Sequence, residues 1–185
     1  MKYPIYVYGT PVLRKKAKEI GWDYPGLKEL ITDMFETMKI SDGVGLAAPQ
    51  IGLSIRLIVI DASEMEEDDP ALKDFRKVFI NPVIIEESGE KWSFNEGCLS
   101  VPNIREDVER HSVVHVRYQD EYFKWHEEIY DGVKARIFQH EYDHLEGVLF
   151  VDRISPLRKR LLNNRLKAIT KGDVSTSYKI VATGK

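Results

Sequence analysis

The feature that most restricts how this chain can fold is a short helix that must be buried although its centre is polar. Asp131-Gly132 marks a start, helix formers without internal Gly or Pro follow, and Gly147 marks the stop. The expected helix spans Val133 to Leu145. Val133, Ile137 and Phe138 would bury it and carry His140, Glu141 and His144 inside with them. Buried histidines without partners are costly. The fold therefore has to close around this segment and give its histidines something to bind.

Residues 140 to 144 read His-Glu-Tyr-Asp-His. Helical positions four apart lie about 40° apart around the axis, so His140 and His144 can present ring nitrogens to one ion. Glu141 is turned roughly 100° from His140 and about 60° from His144. It stands beside such an ion, in reach of a water, without being a ligand. This is the two-histidine-plus-base arrangement of metal-assisted hydrolysis. The plain alternative is a pair of hydrogen-bonded core histidines.

A hydrolytic metal takes three protein ligands and keeps one open position. Glu146 is too close in sequence to fold back as the third. His126 or a distant acid could serve. Cys98, in Glu96-Gly97-Cys98-Leu99-Ser100, is the better candidate. A thiolate is a strong ligand for Zn²⁺ or Fe²⁺, and the ion itself keeps it deprotonated. Gly97 would let the backbone come close. Taken by itself, a lone cysteine reads first as a small buried apolar residue.

With 185 residues the chain fits one domain, residues 1–185. A domain of this size buries about 70% of the surface its unfolded chain exposes. It needs neither a disulfide nor a structural metal to fold, so a metal would be there for chemistry. No repeat, low-complexity tract or long Gly/Ser linker divides it.

Leu27, Leu30, Ile31, Met34, Phe35 and Met38 predict an amphipathic helix over about 25–40, ended by Ser41-Asp42-Gly43. A Gly-containing apolar stretch, Gly43 to Gly52, follows. Ile55 to Ile60 reads as a buried strand. Glu64 to Asp69 reads as a solvated loop. Val78 to Glu86 reads as a strand interrupted near Asn81-Pro82. Two more strands, through Val113, His115, Arg117 and through Phe123, Trp125, Glu127, Ile129, flank a turn near Asp120. Ser155-Pro156 opens a last helix over about 156–171. The tail from Asp173 is unassigned. Strands and helices do not alternate regularly, which favours α+β over a doubly wound sheet.

The formal net charge of −3 gives no general attraction to nucleic acid. The exception is the last helix, where Arg158, Lys159, Arg160, Arg165, Lys167 and Lys171 occur without an acid, with Leu157, Leu161, Leu162, Leu166 and Ile169 as the apolar face. That pattern suits an ordinary amphipathic surface helix, or contact with the phosphates of ribosomal RNA. Met1 to Tyr8 lacks the apolar core of a signal peptide, and no run approaches the roughly 18 apolar residues of a membrane span. With one free thiol, the chain reads as cytoplasmic. His111, His115 and His126 read as strand or turn surface. Arg105 could pair with Glu96, touch a substrate backbone or make a plain surface ion pair.

Three stretches, Gly43-Val44-Gly45-Leu46-Ala47-Ala48-Pro49-Gln50, Glu96-Gly97-Cys98-Leu99-Ser100 and Gln139-His140-Glu141-Tyr142-Asp143-His144, resemble the signature motifs of peptide deformylases, in that family's order and at similar separations. The resemblance covers most of the chain, from about Gly9-Thr10-Pro11 to Asp152. It implies β-sheets surrounding a central metal-binding helix, with a C-terminal helix. It implies a hydrolase that removes the formyl group from the N-terminal formylmethionine of new polypeptides and releases formate. Cys98, His140 and His144 would hold the metal, natively Fe²⁺, with Zn²⁺ able to replace it. Glu141 would be the acid and base. Gln50 and the Leu99 backbone N–H would surround the developing oxyanion, and Gly45 would contact the substrate backbone. Val44, Phe94, Val133 and Ile137 would form the methionine pocket. The partners implied are formyl-methionyl nascent peptides and, through the C-terminal helix, the ribosome.

Two other readings share these residues. Gly43-Val44-Gly45-Leu46-Ala47-Ala48 matches the G-x-G-x-x-A dinucleotide pattern, but that pattern needs a strand before it and a helix after it. Here a helix precedes it and Pro49 blocks a following one. A zinc peptidase would share His140, Glu141 and His144 but recruit a downstream acid, such as Asp152 or Asp173. It would also keep its metal in Cys98→Ser, whereas a deformylase would not.

Overall fold

The computed structural model describes residues 2–184. Positions 1 and 185 of the expected single domain lie outside the described residues. In chain order the main elements are β1 (Ile5–Tyr6), α1 (Leu27–Ile40), β2 (Gly45–Ala47), β3 (Leu57–Asp61), β4 (Arg76–Cys98), β5 (Val101–Gln119), β6 (Trp125–Asp131), α2 (Gly132–Leu145), α3 (Pro156–Leu161), α4 (Asn163–Thr170) and β7 (Ile180–Val181). A five-stranded antiparallel sheet runs β2-β3-β4-β5-β6, and β1 pairs with β7 in a separate parallel ribbon. This is the α+β architecture expected, with α2 at its centre.

The apolar run of β3 is explained by burial on both faces. Ile58 and Ile60 turn toward Phe138 and Leu145 of α2, while Leu57 and Val59 turn toward Leu30, Met34 and Met38 of α1. A strand covered on one side only would alternate apolar with polar residues. Ring contacts tie α2 to the sheet: Phe138 lies 5.1 Å from Phe79, and Phe79 lies 4.5 Å from Tyr118.

Several boundaries differ from the sequence pattern. The strand expected over Ile55–Ile60 starts at Leu57 and ends at Asp61. The strand expected over Val78–Glu86 is the first part of β4, which continues to Cys98. Asn81 does interrupt it: its φ is 50° and the ladder slips between Ile80 and Val83. The Asn81 side chain instead holds Ile20, accepting its N–H at 3.0 Å and donating to its carbonyl at 2.8 Å. Further bulges let β4 bend without ending. The outer half of the β4–β5 hairpin was hidden because Ile104, Glu106, Val108 and Arg110 all face inward. Two of those four are charged, which breaks the apolar alternation.

The single helix expected over 156–171 is two helices, α3 and α4, with the break at Leu162. There one N–H is shared between the carbonyls of Arg158 and Lys159. Leu162, Leu166 and Ile169 are buried as expected, but Leu157 and Leu161 are each 65% exposed. The change of direction takes the leucines of α3 out of the apolar face.

Candidate active site

Cys98 is the last residue of β4, and Leu99 and Ser100 form the tight turn into β5. The hairpin points this turn at the side of α2 that carries His140 and His144. One ligand atom each from Cys98, His140 and His144 lies within 4.8 Å of the others. Cys98 Sγ is 3.4 Å from His144 Nε2. His140 Nδ1 is held by Glu96 Oε1 at 2.8 Å, which leaves Nε2 for an ion. A carboxylate behind a ligating imidazole is the usual way such a ring is oriented. A thiolate with two imidazoles is a donor set for Zn²⁺ or Fe²⁺, so these residues fit the metal that the motif implies. His126, the alternative third ligand, lies elsewhere, paired with Asp120 at 2.7 Å and stacked on Tyr118. Asp152 is also engaged away from the site, by Arg14 and Lys159.

Glu141 is 5% exposed and its Oε2 has no hydrogen-bond partner. Burial pushes its pKa up to about 7. Burial also disfavours a charged His140, yet its bonds with Cys98 and Glu96 hold its pKa well above the ordinary value. Burial and the neighbouring His140 push His144 well below it.

The Gly43–Gln50 stretch forms the facing wall. A Cβ on Gly45 would lie 2.7 Å from Glu141 Oε1, so glycine is required for the two to pack. Gln50 is buried; its Oε1 accepts from Ala47 N–H at 2.9 Å, and its Nε2 points at Ser100 Oγ (3.2 Å) and Cys98 Sγ (3.5 Å). Val44, Phe94, Val133 and Ile137 border one cleft of about 900 Å³ with Gly45, Gln50, Cys98, Leu99, His140 and Glu141. The structure therefore brings every residue expected at the site together. His144 alone stands behind the cleft wall.

Sequence reasoning missed the ion-pair cluster behind α2. Glu96 accepts from Arg110 (2.8 and 3.0 Å) and Arg136 (2.7 Å), in addition to His140. Burial opposes its ionisation, but the bonds from His140 and Arg110 outweigh that and hold its pKa far below the carboxylate range. Asp143 accepts from Arg110 (2.8 Å) and Arg153 (2.6 and 2.7 Å). Arg136, 2% exposed, also donates to the Val108 and Trp92 carbonyls and lies against the Trp92 and Phe94 rings. It thereby props the wall that carries Phe94. Arg105 does not pair with Glu96, as had been one expectation; it bonds Asn95, because it faces outward between the inward Ile104 and Glu106. The available signal was the spacing of Arg136, His140 and Asp143, which share one side of a helix.

The protein-family model described as polypeptide deformylase matches residues 2–160. A peptide deformylase of Christiangramia forsetii is 51% identical over 187 residues, spanning 97% of this chain and 95% of the relative. A peptide deformylase structure from Legionella pneumophila matches with a TM-score of 0.80 at 40% identity, over 94% of this chain and 98% of that one. One from Synechococcus elongatus in complex with actinonin matches with a TM-score of 0.78 at 40% identity, over 88% and 87%.

Proposed function

We propose that this chain, which belongs to the polypeptide deformylase family and removes the formyl group from the N-terminal methionine of new polypeptides, works with Glu141 as proton carrier beside a metal held by Cys98, His140 and His144. The observation that carries this is Glu141 Oε2, buried without a hydrogen-bond partner on a residue that lines the same cleft as Cys98 and His140. A divalent ion bound there would act as a Lewis acid, polarising the formyl carbonyl and making a water acidic enough to lose its proton near neutral pH. Glu141 takes that proton as the water attacks the formyl carbon. It then delivers the proton to the leaving amine nitrogen, and formate departs. A carboxyl pKa near neutrality suits both transfers.

The formyl oxygen gains charge as the carbon becomes tetrahedral. In this reading the Leu99 N–H and Gln50 Nε2 are the donors to that oxygen, and one such donor is typically worth about 3 kcal/mol in the transition state. Gly45 meets the substrate backbone. Val44, Phe94, Val133 and Ile137 receive the methionine side chain. The family resemblance makes Fe²⁺ the native ion in this reading, and the donor set suits Zn²⁺ equally.

The polypeptide reaches the enzyme at the ribosome, through the basic surface of α3 and α4. Arg158, Lys159 and Arg165 are tied to Glu106, Asp152 and Asn103. The contact therefore falls to Arg160, Lys167 and Lys171, beside exposed Leu157 and Leu161. The setting is the cytoplasm, supported by the lone thiol and by the lack, among the described residues, of a helix long and apolar enough to cross a membrane.

The deciding experiment is anaerobic formate release from a short formyl-Met peptide, using protein reconstituted with Fe²⁺. Wild type should release formate. Glu141→Ala should keep the metal and lose about 10³-fold in turnover, and Cys98→Ser should lose the metal. A metal-loaded, folded wild type that releases none would reject the reading, and an active Glu141→Ala would remove Glu141 from the mechanism.

A further inference from the structure

After α4 the chain runs back across the molecule. Val174, Thr176, Tyr178 and Ile180 are half-buried, while Asp173, Ser175, Ser177 and Lys179 between them are exposed. That period of two marks an extended strap with one face inward. Asn103 Nδ2 donates to the Ser175 carbonyl at 3.0 Å and fixes its near end. At its far end β7 pairs with β1, and Gly184 N–H donates to the Thr170 carbonyl at 3.1 Å. Between these anchors, Ser175 to Tyr178 line the same cleft as Glu141 and Cys98. The strap lies outside residues 2–160, the stretch matched by the family model.

Tyr178 donates its hydroxyl to the Leu99 carbonyl at 2.8 Å. Leu99 sits in the two-residue turn after Cys98. Ser100, the other turn residue, is held on both sides: Gln50 Nε2 reaches its hydroxyl and Tyr8 N–H its carbonyl, at 3.2 and 2.8 Å. The Leu99 carbonyl is held by the strap. The Leu99 N–H takes no part in the backbone hydrogen bonds of this turn.

We propose that Tyr178 is a positioning residue, which by holding the Leu99 carbonyl fixes the direction of the Leu99 N–H toward the formyl oxygen. The proposal rests on the reading of Leu99 N–H as an oxyanion donor. Pinning the carbonyl fixes the rotation about the Leu99 Cα–C bond, and the ladder fixes Cys98 on the other side. The two α-carbons that carry the intervening peptide are then held, and its N–H can turn only about the axis that joins them. Such a donor contributes only if it already points at the place where charge develops, and an error of about 1 Å can cost on the order of 10²-fold in rate. Tyrosine suits the task because its ring is rigid and its hydroxyl stands far from the backbone.

The test is Tyr178→Phe, which removes one oxygen atom and keeps the ring. Formate release is measured with kcat and KM separated. The ¹⁵N order parameter of the Leu99 amide is measured in the metal-free protein, and melting temperature is followed in both proteins. The expected result is a kcat about tenfold lower, KM within about twofold, and unchanged melting. The Leu99 order parameter should fall from about 0.85 toward 0.6. A kcat within about twofold of wild type with an unchanged Leu99 order parameter would overturn the proposal. So would a variant whose only change is lower melting, since Tyr178 would then serve stability alone. Wild-type protein that releases no formate would reject the deformylase reading instead, and the order parameter would still decide whether Tyr178 holds Leu99.

Discussion

The two flanks of α2 carry polar groups in opposite states. Behind the helix, Glu96 and Asp143 meet Arg110, Arg136 and Arg153 in a buried ion-pair cluster. Among the described residues, its one buried side-chain atom without a partner is Arg136 Nε. In front, Glu141 Oε2 and His144 Nδ1 are buried with no partner at all. Burying unpaired polar atoms is costly, and the front flank bears that cost where the proposed chemistry takes place. His140 spans the two, with Nδ1 in the paired flank and Nε2 in the reactive one. The link between the flanks is the bond from Glu96 Oε1 to His140 Nδ1 at 2.8 Å.

The largest effect should come from breaking the paired flank. Glu96→Gln leaves Arg136 without its carboxylate and Arg110 with Asp143 alone. Removing one partner of a buried pair typically costs about 3–5 kcal/mol. Urea unfolding of the metal-free protein measures it. Metal affinity should fall about 10–100-fold as well, because His140 loses its orienting carboxylate. Unchanged stability with unchanged affinity would mean that the cluster compensates internally and does not support the site.

The two carboxylates, Glu141 in front and Glu96 behind, should also respond to pH with opposite signs. Glu141 has its folded pKa raised from 4.5 to about 7 by burial. Between those values the folded state holds more protons than the unfolded, so stability falls as pH rises, by on the order of 3 kcal/mol in all. Glu96 has its folded pKa depressed. Its contribution is complete above the unfolded value and is lost as pH falls below it. In unfolding of the metal-free protein from pH 3 to 8 these add to the contributions of His140 and His144, whose folded pKa values are raised and lowered, so the Glu141 part is read as the difference between wild type and Glu141→Gln. Relative to Glu141→Gln, wild type should lose stability as pH rises from about 4.5 to 7; a difference that stays constant over that range would show that burial does not raise the Glu141 pKa.

Next in size is the packing of the reactive flank. In Gly45→Ala the new methyl would lie 2.7 Å from Glu141 Oε1 and 2.8 Å from its Cγ. The carboxylate has to shift, and turnover should drop about 100-fold. Metal content and melting temperature should stay close to wild type. A variant with full turnover would show that Glu141 tolerates displacement.

How far each flank could be read from sequence follows from the range of its contacts. Val133, Ile137, His140, Glu141 and His144 share one helix, so their side of α2 is visible in the 3.6-residue period. The β3 strand was legible because both its faces are buried and no polar residue blurs the run. Cys98 is different: nothing local separates it from an ordinary core cysteine, and the metal-ligand role proposed for it emerges only beside the other two motifs. The paired flank was invisible because Arg110 lies 14 residues from Glu96 and 33 from Asp143. Charges so far apart read as separate surface positions until the hairpin places them. Tyr178 lies 79 residues from Leu99 and was hidden for the same reason.

The smallest effect marks where the paired flank meets solvent. Arg153 bonds both oxygens of Asp143, yet its side chain is 41% exposed, against 4% for Arg110 on the same carboxylate. Water replaces much of what Arg153 supplies, and exposed pairs are typically worth about 1 kcal/mol or less. Arg153→Ala should therefore cost about that in urea unfolding and leave metal affinity within about twofold. Arg110→Ala should cost several times more, because Glu96 and Asp143 would both lose a buried partner. Equal costs for the two would show that solvent does not reach the cluster through Arg153, and that the paired flank is as closed at its edge as at its centre.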